Sequence, residues 1–557
     1  MAHATRKKSA DEPGLQVICL GSGGGPNEDN VTGFLVRSTA CDWQQRNGVL
    51  AVDAGTHLSA ICRILLEHFP LVADPSPRDR GSTKSPAASP SGDVLSEEND
   101  ESSTTSERSP SPELTTIQSG PFQGATFPHR SARANAVHFV REHVDSYLIT
   151  HPHLDHIAGF AMNTAAFHNT SRPKKLAALP FTVNSIKQHV FNDIIWPNLT
   201  DEDDGVGFVT FQRLAEGGNL ALGEGHSRGF IEVCNGLAVK GFKVSHGTCA
   251  SAPKSDRRGS RETIERQTQV NQGSHTPHHV HHSHNRSVNH SHNTAANKVE
   301  GSGISDGGRR SSVFSQQSQP GTPTFFTGQD PIAQPVVDSS AYFIRAEHSG
   351  REILIFGDVE PDSISLSPRT HIVWAEAAPK IAAGLLSGIF IECSYDDSQS
   401  DSILFGHLAP RHLIAELQTL ADMVAERRRE LNEKIGKKRK RFSSHTAGRP
   451  RPNKDGSAAN TPTSDDLMHD IIHQEDILPL PTPTSAKVPV TPLKDIEPPL
   501  KGVKVIIIHV KDSMTDGPLA GDLIMRDLKA HEQRLSDQGK PLGCTFEISK
   551  SGDSYFL

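Results

Sequence analysis

The stretch YLITHPHLDHIAGF, residues 147–160, places His151, His153, Asp155 and His156 directly after an apolar run. In an extended segment alternate side chains share a face, so the first two histidines can point to the same side. A turn after them would bring Asp155 and His156 to a neighbouring position. Neutral imidazoles with a carboxylate suit zinc, iron or manganese. Because such groups are costly to bury without a partner, the stretch favours a metal site at a strand end over a polar loop of solvated histidines.

Other apolar runs also end in a residue type that binds metals. His246 stands at the end of the run in LAVKGFKVSHG, Asp358 in REILIFGDVEPD, and His509 in VKVIIIHVKD. Each of these residues alone is commonly structural or solvated. Their recurrence, together with the first motif, supplies seven candidate ligands, enough for two metals that share a carboxylate.

The composition limits what the chain can be. Only 35% of the 557 residues are hydrophobic and 5% are aromatic, with 37 prolines, so part of the chain is expected to be disordered. The net charge of -8 gives no reason to expect nucleic acid as a partner. Seven cysteines without a CxxC motif fit reduced thiols. No secretory signal or membrane-spanning run is present, which predicts a cytoplasmic protein without a membrane partner, with the nucleus as a second location.

Strand-like runs and low-complexity segments alternate along the chain. The segments expected to be disordered are 1–14, 71–131, 251–333 and 425–497. The pieces expected to fold are 15–70, 132–250, 334–424 and 498–557. They predict one α/β domain, residues 15–557, whose surface loops hold long insertions, since the cost of closing a loop grows only logarithmically with its length.

Two more segments carry a resemblance to a known family. The order of the motif HxHLDHxxG, a strand-end histidine, a strand-end aspartate and a C-terminal histidine is similar to that of the metallo-β-lactamase superfamily. The HLDH form, VICLGSGGGPNEDNVTGFLV at 17–36 and IECSYDDSQSDSILFGHLAP at 391–410 resemble the class II cyclic nucleotide phosphodiesterases, the low-affinity cAMP phosphodiesterases of fungi. One departure is Thr164, which stands where that family has serine, and it leaves every candidate ligand in place.

The resemblance implies a fold and a ligand set. The fold would be a metallo-β-lactamase-like four-layer αβ/βα sandwich, with the site at the edge where strand ends converge. Two divalent metal ions, with zinc as the expected element, would be bound. The first ion would be held by His151, His153 and His246, the second by Asp155, His156 and His509, and Asp358 would bridge the two.

The same resemblance implies catalytic roles. Two metals ~3.5–4 Å apart can acidify a shared water for attack on a cyclic phosphate, and Asp155 would act in this step. The leaving oxygen needs a proton, and His407, oriented by Glu392, is the expected general acid. Alternatively, His407 has a structural role at the start of a helix, where the backbone satisfies its hydrogen bonds. Asp53 in AVDAGT is expected to support the site rather than to bind metal.

The expected function is hydrolysis of 3′,5′-cyclic AMP, with cyclic GMP as a further substrate, which would damp cAMP signalling. One alternative is a tRNA 3′-processing endonuclease of the same superfamily, and another is a signalling scaffold without turnover. The acidic chain, whose basic run 426–441 lies in a low-complexity segment, disfavours the first. The complete ligand set disfavours the second.

Short motifs in the predicted insertions suggest further roles. RRSSVF at 309–314 has the pattern favoured by cAMP-dependent protein kinase, with Ser312 as the acceptor. The histidine-rich tract at 275–292 fits a low-complexity sequence better than a metal buffer. The basic run 426–441 fits a nuclear import signal and a solvated helix extension equally well.

Overall fold

The first strand, β1 (Leu15–Gly21), is buried along its whole length in the computed structural model. Its side chains alternate between two apolar cores, with Val17 and Cys19 in one and Ile18 and Leu20 in the other. A strand with two buried faces must lie between two layers of the protein. The apolar alternation therefore builds a sheet that is covered on both sides.

The structure describes residues 12–68, 114–248, 336–446 and 497–557. These residues belong to one compact unit, formed by residues 1–248 and 335–557, while a second unit, 249–334, lies outside the described residues. The other strands are β2 (Gly33–Ser38), β3 (Val49–Ala54), β4 (Thr115–Thr116), β5 (Thr126–Phe127), β6 (Val144–Leu148), β7 (Lys174–Ala178), β8 (Val209–Arg213), β9 (Ile231–Cys234), β10 (Leu237–Thr248), β11 (Val336–Ala346), β12 (Glu352–Phe356), β13 (Leu386–Glu392), β14 (Lys504–Ile508), β15 (Thr545–Ile548) and β16 (Ser554–Phe556). The α-helices are α1 (Leu58–His68), α2 (Ala132–Glu142), α3 (Leu154–Asn163), α4 (Pro180–His189), α5 (Thr370–Ala382), α6 (Pro410–Thr446) and α7 (Ala520–Asp537). Short 3-10 helices cover Glu28–Asn30, Thr164–Ala166, Gly225–Ser227 and Asp401–Ile403.

Two seven-stranded mixed sheets form the centre of the fold. The strand order is β16-β1-β2-β3-β6-β7-β8 in the first sheet and β15-β14-β13-β12-β11-β10-β9 in the second. In the first sheet the pairings from β16 to β3 are antiparallel and those from β3 to β8 are parallel. In the second sheet the pairings from β9 to β12 are antiparallel and those from β12 to β15 are parallel. The two sheets therefore follow the same plan.

Three apolar cores arrange these elements in layers. One core lies between the sheets, where Phe34 of the first sheet meets Phe390 of the second at a ring distance of 5.8 Å. The second core packs α1 to α4 on the outer face of the first sheet, and the third packs α5 to α7 on the outer face of the second. The predicted four-layer αβ/βα sandwich is confirmed.

The strand directions bring the candidate ligands to one edge. In the second sheet, β12, β13 and β14 are parallel, and β10 runs in the same direction because it is separated from β12 by the antiparallel β11. In the first sheet, β3 and β6 are parallel neighbours. Loops that follow the carboxyl ends of parallel strands gather at one edge of a sheet, which is the usual place for a binding site.

The predicted boundaries of two insertions are wrong. Within 71–131, residues 114–131 form β4, β5 and their connections, and Phe122 and Phe127 are buried in the core beside the first sheet. Within 425–497, α6 continues to Thr446, so the basic run 426–441 is helical. The segment 1–14, which was predicted to be a disordered tail, ends in a residue that is bonded to the fold. The backbone N–H of Gly14 donates to the carbonyl oxygen of Leu557. Serine, proline and charged residues dominate the composition of these windows and hide the apolar residues within them.

Other predictions on the insertions fall outside the described residues. These are Ser312, the tract 275–292 and the disorder of 71–113, 251–333 and 447–496, which stay predictions. In the part of the chain that the structure describes, no helix combines the length and the apolar content needed to cross a bilayer.

The burial of Phe122 yields a stability prediction. Its side chain is 1% exposed, and its ring lies 5.8 Å from Trp43 and 5.0 Å from Phe139. We expect Phe122→Ala to lower the free energy of unfolding by about 3–5 kcal/mol, measured by urea denaturation, because the change leaves a cavity in the core. The control is Phe556→Ala, whose ring is 53% exposed. Equal and small losses in both variants would place 114–131 outside the folded core.

Candidate metal centre

The motif at 151–156 connects β6 to α3. His153 is the residue before the helix and has an extended backbone, with φ of -70° and ψ of 150°. The rings of His151 and His153 are 4.5 Å apart, as expected for alternate residues of an extended segment. Asp155 and His156 lie in the first turn of α3. The chain therefore turns at the point where the sequence predicted it.

A first cluster forms where β6 and β10 approach the loop after β12. It consists of His151, His153, His246 and Asp358, whose candidate ligand atoms all lie within 4.8 Å of one another. His151 Nε2 and His246 Nε2 are each 3.5 Å from Asp358 Oδ2. The ring of His153 is 5.1 Å from that of His246, and His153 is the exposed member of the cluster.

A second cluster shares Asp358 with the first. It consists of Asp155, His156, Asp358 and His509, again with candidate ligand atoms within 4.8 Å of one another. His156 Nε2 is 3.2 Å from Asp358 Oδ1, and His509 Nε2 is 3.3 Å from Asp358 Oδ2. His509 Nε2 is also 3.6 Å from Asp155 Oδ2. All seven residues that the sequence selected as ligands thus lie in one place, on either side of one carboxylate.

Hydrogen bonds on the outer side of the clusters orient two histidine rings directly. His246 Nδ1 donates to the carbonyl oxygen of Gly406 at 2.9 Å, and His156 Nδ1 donates to Asp53 Oδ2 at 2.8 Å. Because a carbonyl or carboxylate oxygen only accepts, Nδ1 carries the proton in both rings. In the neutral form of each ring, Nε2 then keeps its lone pair on the side of Asp358.

Threonine hydroxyls orient two more rings. Thr150 Oγ1 donates to Asp53 Oδ2 at 2.8 Å and lies 3.1 Å from His151 Nδ1. Thr32 Oγ1 is 3.0 Å from His509 Nδ1 and within 3.4 Å of the carbonyl oxygen of Gly23. When each hydroxyl donates to its oxygen partner, it accepts from the histidine Nδ1–H, and Nε2 again keeps its lone pair. This arrangement is typical of histidines that bind metal through Nε2.

The inner atoms of the clusters have no hydrogen-bond partner. Among the buried side-chain atoms of the described residues, those without a hydrogen bond include His151 Nε2, His156 Nε2, His509 Nε2, Asp358 Oδ1 and Asp358 Oδ2. Buried polar atoms normally have partners, and a bound cation would satisfy a group of them that face one another. Imidazole and carboxylate donors suit a divalent metal, so the residues present fit one.

Burial and charge set the protonation of the clusters. Burial lowers the pKa of His151 and of His509 well below the usual value, which keeps these rings neutral. Burial would lower the pKa of His156 too, but the carboxylates of Asp358 and Asp53 outweigh it and raise that pKa well above its usual value. Burial alone would raise the pKa of Asp358, but the surrounding His509, His156 and His151 hold it well below its usual range. Asp358 is therefore a buried anion, as a shared ligand must be.

Asp53, at the end of β3, supports the ligands that the first sheet contributes, His156 directly and His151 through Thr150. Its carboxylate accepts from the backbone N–H and the hydroxyl of Thr150 and from His156 Nδ1, each at 2.8 Å. Its backbone has a φ of +50°, a left-handed conformation that is uncommon outside glycine. The bonds made by the carboxylate hold the residue in that conformation.

Glu392 and His407 form a pair beside the clusters. Glu392 is fully buried at the end of β13, and its carboxylate oxygens are 3.0 and 3.1 Å from His407 Nδ1. The ring of His407 lies 4.8 Å from that of His246 and 5.1 Å from that of His509. Burial alone would lower the pKa of His407, but Glu392 raises it above its usual value. The two side chains could also join His246 in a third group of metal-ligand type.

The sequence did not indicate Lys511 as a site residue. Its ammonium donates to the carbonyl oxygen of Gly24 at 3.0 Å, in the loop after β1. Burial is the main cause of the low pKa of His509, and the positive charge of Lys511 adds to it. Lys511 also lowers the pKa of His407. This effect is smaller than that of burial, which lowers the pKa too, and smaller than that of the Glu392 and Asp358 carboxylates, which raise it. No local pattern pointed to it, because its place beside the centre depends on the contact with Gly24, which is distant in the sequence.

The fold and the two clusters that share Asp358 define a protein of the metallo-β-lactamase fold with a centre suited to divalent metal ions. A comparison with solved structures supports the fold. The crystal structure of unliganded yeast PDE1 aligns over 98% of this chain and 100% of that one, with a TM-score of 0.53 and 17% identity. At that identity the likeness concerns the fold alone.

Sequence comparisons show which proteins the chain is similar to. The model of the class-II cAMP phosphodiesterases matches residues 110–255 and 311–433, which contain every candidate site residue except His509. The chain is similar to 3′,5′-cyclic-nucleotide phosphodiesterases of Schizosaccharomyces pombe, with 27% identity over 52% of this chain and 55% of that one, and of Candida albicans, with 26% identity over 50% and 55%. The chain is thus similar to the class-II cAMP phosphodiesterases over these two segments. It spans about half the length of these curated relatives.

Metal content tests the shared role of Asp358. We expect Asp358→Asn to retain less divalent metal after dialysis than the parent, because the carboxylate common to both clusters becomes a neutral amide. Elemental analysis and the rise of Tm on adding Zn²⁺ would measure the difference.

The matched control for this change is Asp145→Asn. Asp145 is an equally buried carboxylate, but it pairs with Arg172 and Lys175 instead of the clusters. This variant should keep the metal content of the parent. An Asp358→Asn protein that holds as much metal as Asp145→Asn would contradict the assignment.

Proposed function

We propose that this chain hydrolyses 3′,5′-cyclic AMP to 5′-AMP, with cyclic GMP as a further substrate, and so damps cAMP signalling. Similarity to the class-II cAMP phosphodiesterases supports the substrate class. The observation that carries the proposal is the placement of the buried Glu392–His407 pair next to two ligand clusters joined by Asp358. A phosphodiester hydrolase needs both a centre that binds the phosphate and a group that protonates the leaving oxygen.

The proposal includes two zinc ions. His151, His153 and His246 would hold the first, Asp155, His156 and His509 the second, and Asp358 would contact both. A donor set of imidazoles and carboxylates with free Nε2 lone pairs supports zinc. When bound, the ions would supply Lewis acidity that activates water and offsets the charge of the phosphoryl oxygens.

The chain's own residues would control the proton. The Nδ1–H of His407 is bonded to the carboxylate of Glu392, which fixes the ring and leaves Nε2 as the atom that exchanges a proton. The raised pKa of His407 favours the protonated imidazole, which donates from Nε2 to the departing 3′ oxygen. Three further donors hold Glu392 in place, namely Val359 N, Ser394 Oγ and Leu408 N, at 2.7, 2.7 and 3.2 Å.

Lys511 would contribute positive charge next to His407. Its position is fixed by the bond to the carbonyl oxygen of Gly24, which lies at the centre because a Cβ on Gly24 would come within 2.6 Å of His509 Nε2. A cation here attracts the anionic phosphate. Any residue other than glycine at position 24 would push against the His509 ring.

An assay on the purified chain tests the activity. We expect cAMP to be hydrolysed, the rate to vanish with a chelator, and added Zn²⁺ to restore it. Precursor tRNA should remain intact under the same conditions. Cleavage of the tRNA without cleavage of cAMP would favour the endonuclease, and a fully metal-loaded protein that cleaves neither would favour the scaffold.

A variant of the general acid tests the proposed mechanism. We expect His407→Ala to lower kcat by about 10²–10⁴ while metal content stays at the parental value, because a proton donor and not a ligand is lost. A diester with a 4-nitrophenolate leaving group needs little protonation and should recover most of the loss.

The control for this variant is His412→Ala. His412 is also a buried histidine near the start of α6, but it lies 3.3 Å from Asp401 and belongs to neither cluster. Its kcat should stay near that of the parent. Loss of metal in His407→Ala would show instead that His407 is a ligand in the third group.

A further inference from the structure

A large cavity adjoins the second cluster. Its volume is about 1170 Å³, it is open to solvent on one side, and it is bordered by the loop after β1, the start of α1, the start of α2 and one face of α3. Asp155, a member of the second cluster, forms part of its wall, as do Gly24 and Gly25 of the loop that contacts His509. The cavity is therefore continuous with the candidate metal centre.

One face of α3 runs along the cavity. Asp155, Ala158, Met162 and Asn163 line it, a spacing that places them on the same side of a helix. At 1.5 Å per residue, the distance along the helix from Asp155 to Asn163 is about 12 Å. The cavity thus extends from the centre by a length comparable with that of a nucleoside.

We propose that this cavity receives the ribose and the purine ring of the substrate while the phosphate lies at the clusters. This inference rests on the proposed function, because it assigns a site to the nucleoside of cAMP, whose phosphate that function puts at the clusters. Apart from Asp155, the residues that line this cavity are neither candidate metal ligands nor Glu392 or His407.

The apolar lining suits a purine ring. Leu58, Val137 and Met162 contribute side chains to the wall. Met162 is 57% exposed, and its neighbour on the cavity wall, Leu154, is 72% exposed. Large apolar side chains left open beside a cavity are typical of a ligand site, and a flexible thioether packs well against an aromatic face.

Asn163 supplies a polar group at the far end of the cavity. Its Oδ1 accepts from the backbone N–H of Leu58 at 3.1 Å, which holds the side chain at the start of α1. The amide nitrogen is then the part that can donate to a ligand. Ring nitrogens of a purine accept hydrogen bonds, so a donor fixed next to the apolar part of the wall would orient the base.

Filling the cavity tests the assignment. Ala158 lies midway along the α3 face, and Ala158→Leu adds volume to the cavity without harming helix propensity. We expect the KM for cAMP to rise by about tenfold or more, with a much smaller change in kcat. Hydrolysis of 4-nitrophenyl methyl phosphate, which has no nucleoside, should change by less than about twofold.

The matched control is Ala165→Leu. Ala165 is exposed, follows α3 directly and is outside the cavity lining, so the same substitution there should leave the KM for cAMP unchanged. If Ala158→Leu fails to fold, Met162→Ala decides, because an exposed side chain can be shortened without creating a core cavity. Its KM for cAMP should rise while the rate with the simple diester is kept.

The outcomes separate this inference from the proposed function. A parent protein that hydrolyses neither cAMP nor the simple diester contradicts the function itself. A parent that hydrolyses both, combined with a folded cavity variant whose KM for cAMP is unchanged, overturns the inference alone. Equal losses with both substrates in the cavity variant also overturn it, because they show a disturbed metal centre instead of a lost nucleoside contact.

Discussion

The carboxylate of Asp358 is the constraint on which the rest of the site depends. It is 1% exposed, it belongs to both clusters, and neither of its oxygens accepts a hydrogen bond from the described residues. A buried anion is stable only where opposite charge surrounds it. The groups that face it include His151, which follows β6 of one sheet, and His246 near the end of β10 and His509 after β14 of the other. The ends of strands from both sheets must therefore meet at one edge, and the apolar core between the sheets holds them there.

Supporting bonds make that meeting point rigid. Asp53 and His509 both have a positive φ, at +50° and +56°, a conformation that costs on the order of 1–3 kcal/mol for a residue with a side chain. Each is held by its side chain, Asp53 through Thr150 and His156, and His509 through Thr32. Strained residues thus lie on either side of the second cluster. Strain that persists in this way indicates that the surroundings fix the geometry more tightly than local preference does.

The sequence revealed the parts of the site that repeat a simple pattern. An apolar run followed by a histidine or an aspartate is visible without knowledge of the fold, and it selected His246, Asp358 and His509 as well as the HPHLDH stretch. The layered fold followed from the same runs, together with the resemblance to a known family. Residues 114–131 were missed because their few buried aromatic residues stand next to a long stretch rich in serine and proline. Lys511 and the cavity were missed because they depend on contacts between distant segments, which no local periodicity records.

Helix α3 joins the candidate metal centre to the cavity, because Asp155 in its first turn belongs to the second cluster and also lines the cavity. Gly159 donates from its backbone N–H to the carbonyl oxygen of Gly55 at 2.9 Å, and a Cβ on Gly159 would come within 2.7 Å of that oxygen. Only glycine permits this close approach, which fixes the helix against the end of β3 and with it the position of Asp155. Ala158 and Met162 line the cavity on the same helix. A substitution at either of these two positions changes the shape of the cavity while Gly159 still holds the helix. A side chain at position 159 would instead push the helix away from Gly55 and move Asp155, so the cavity wall tolerates change where the contact at Gly159 does not.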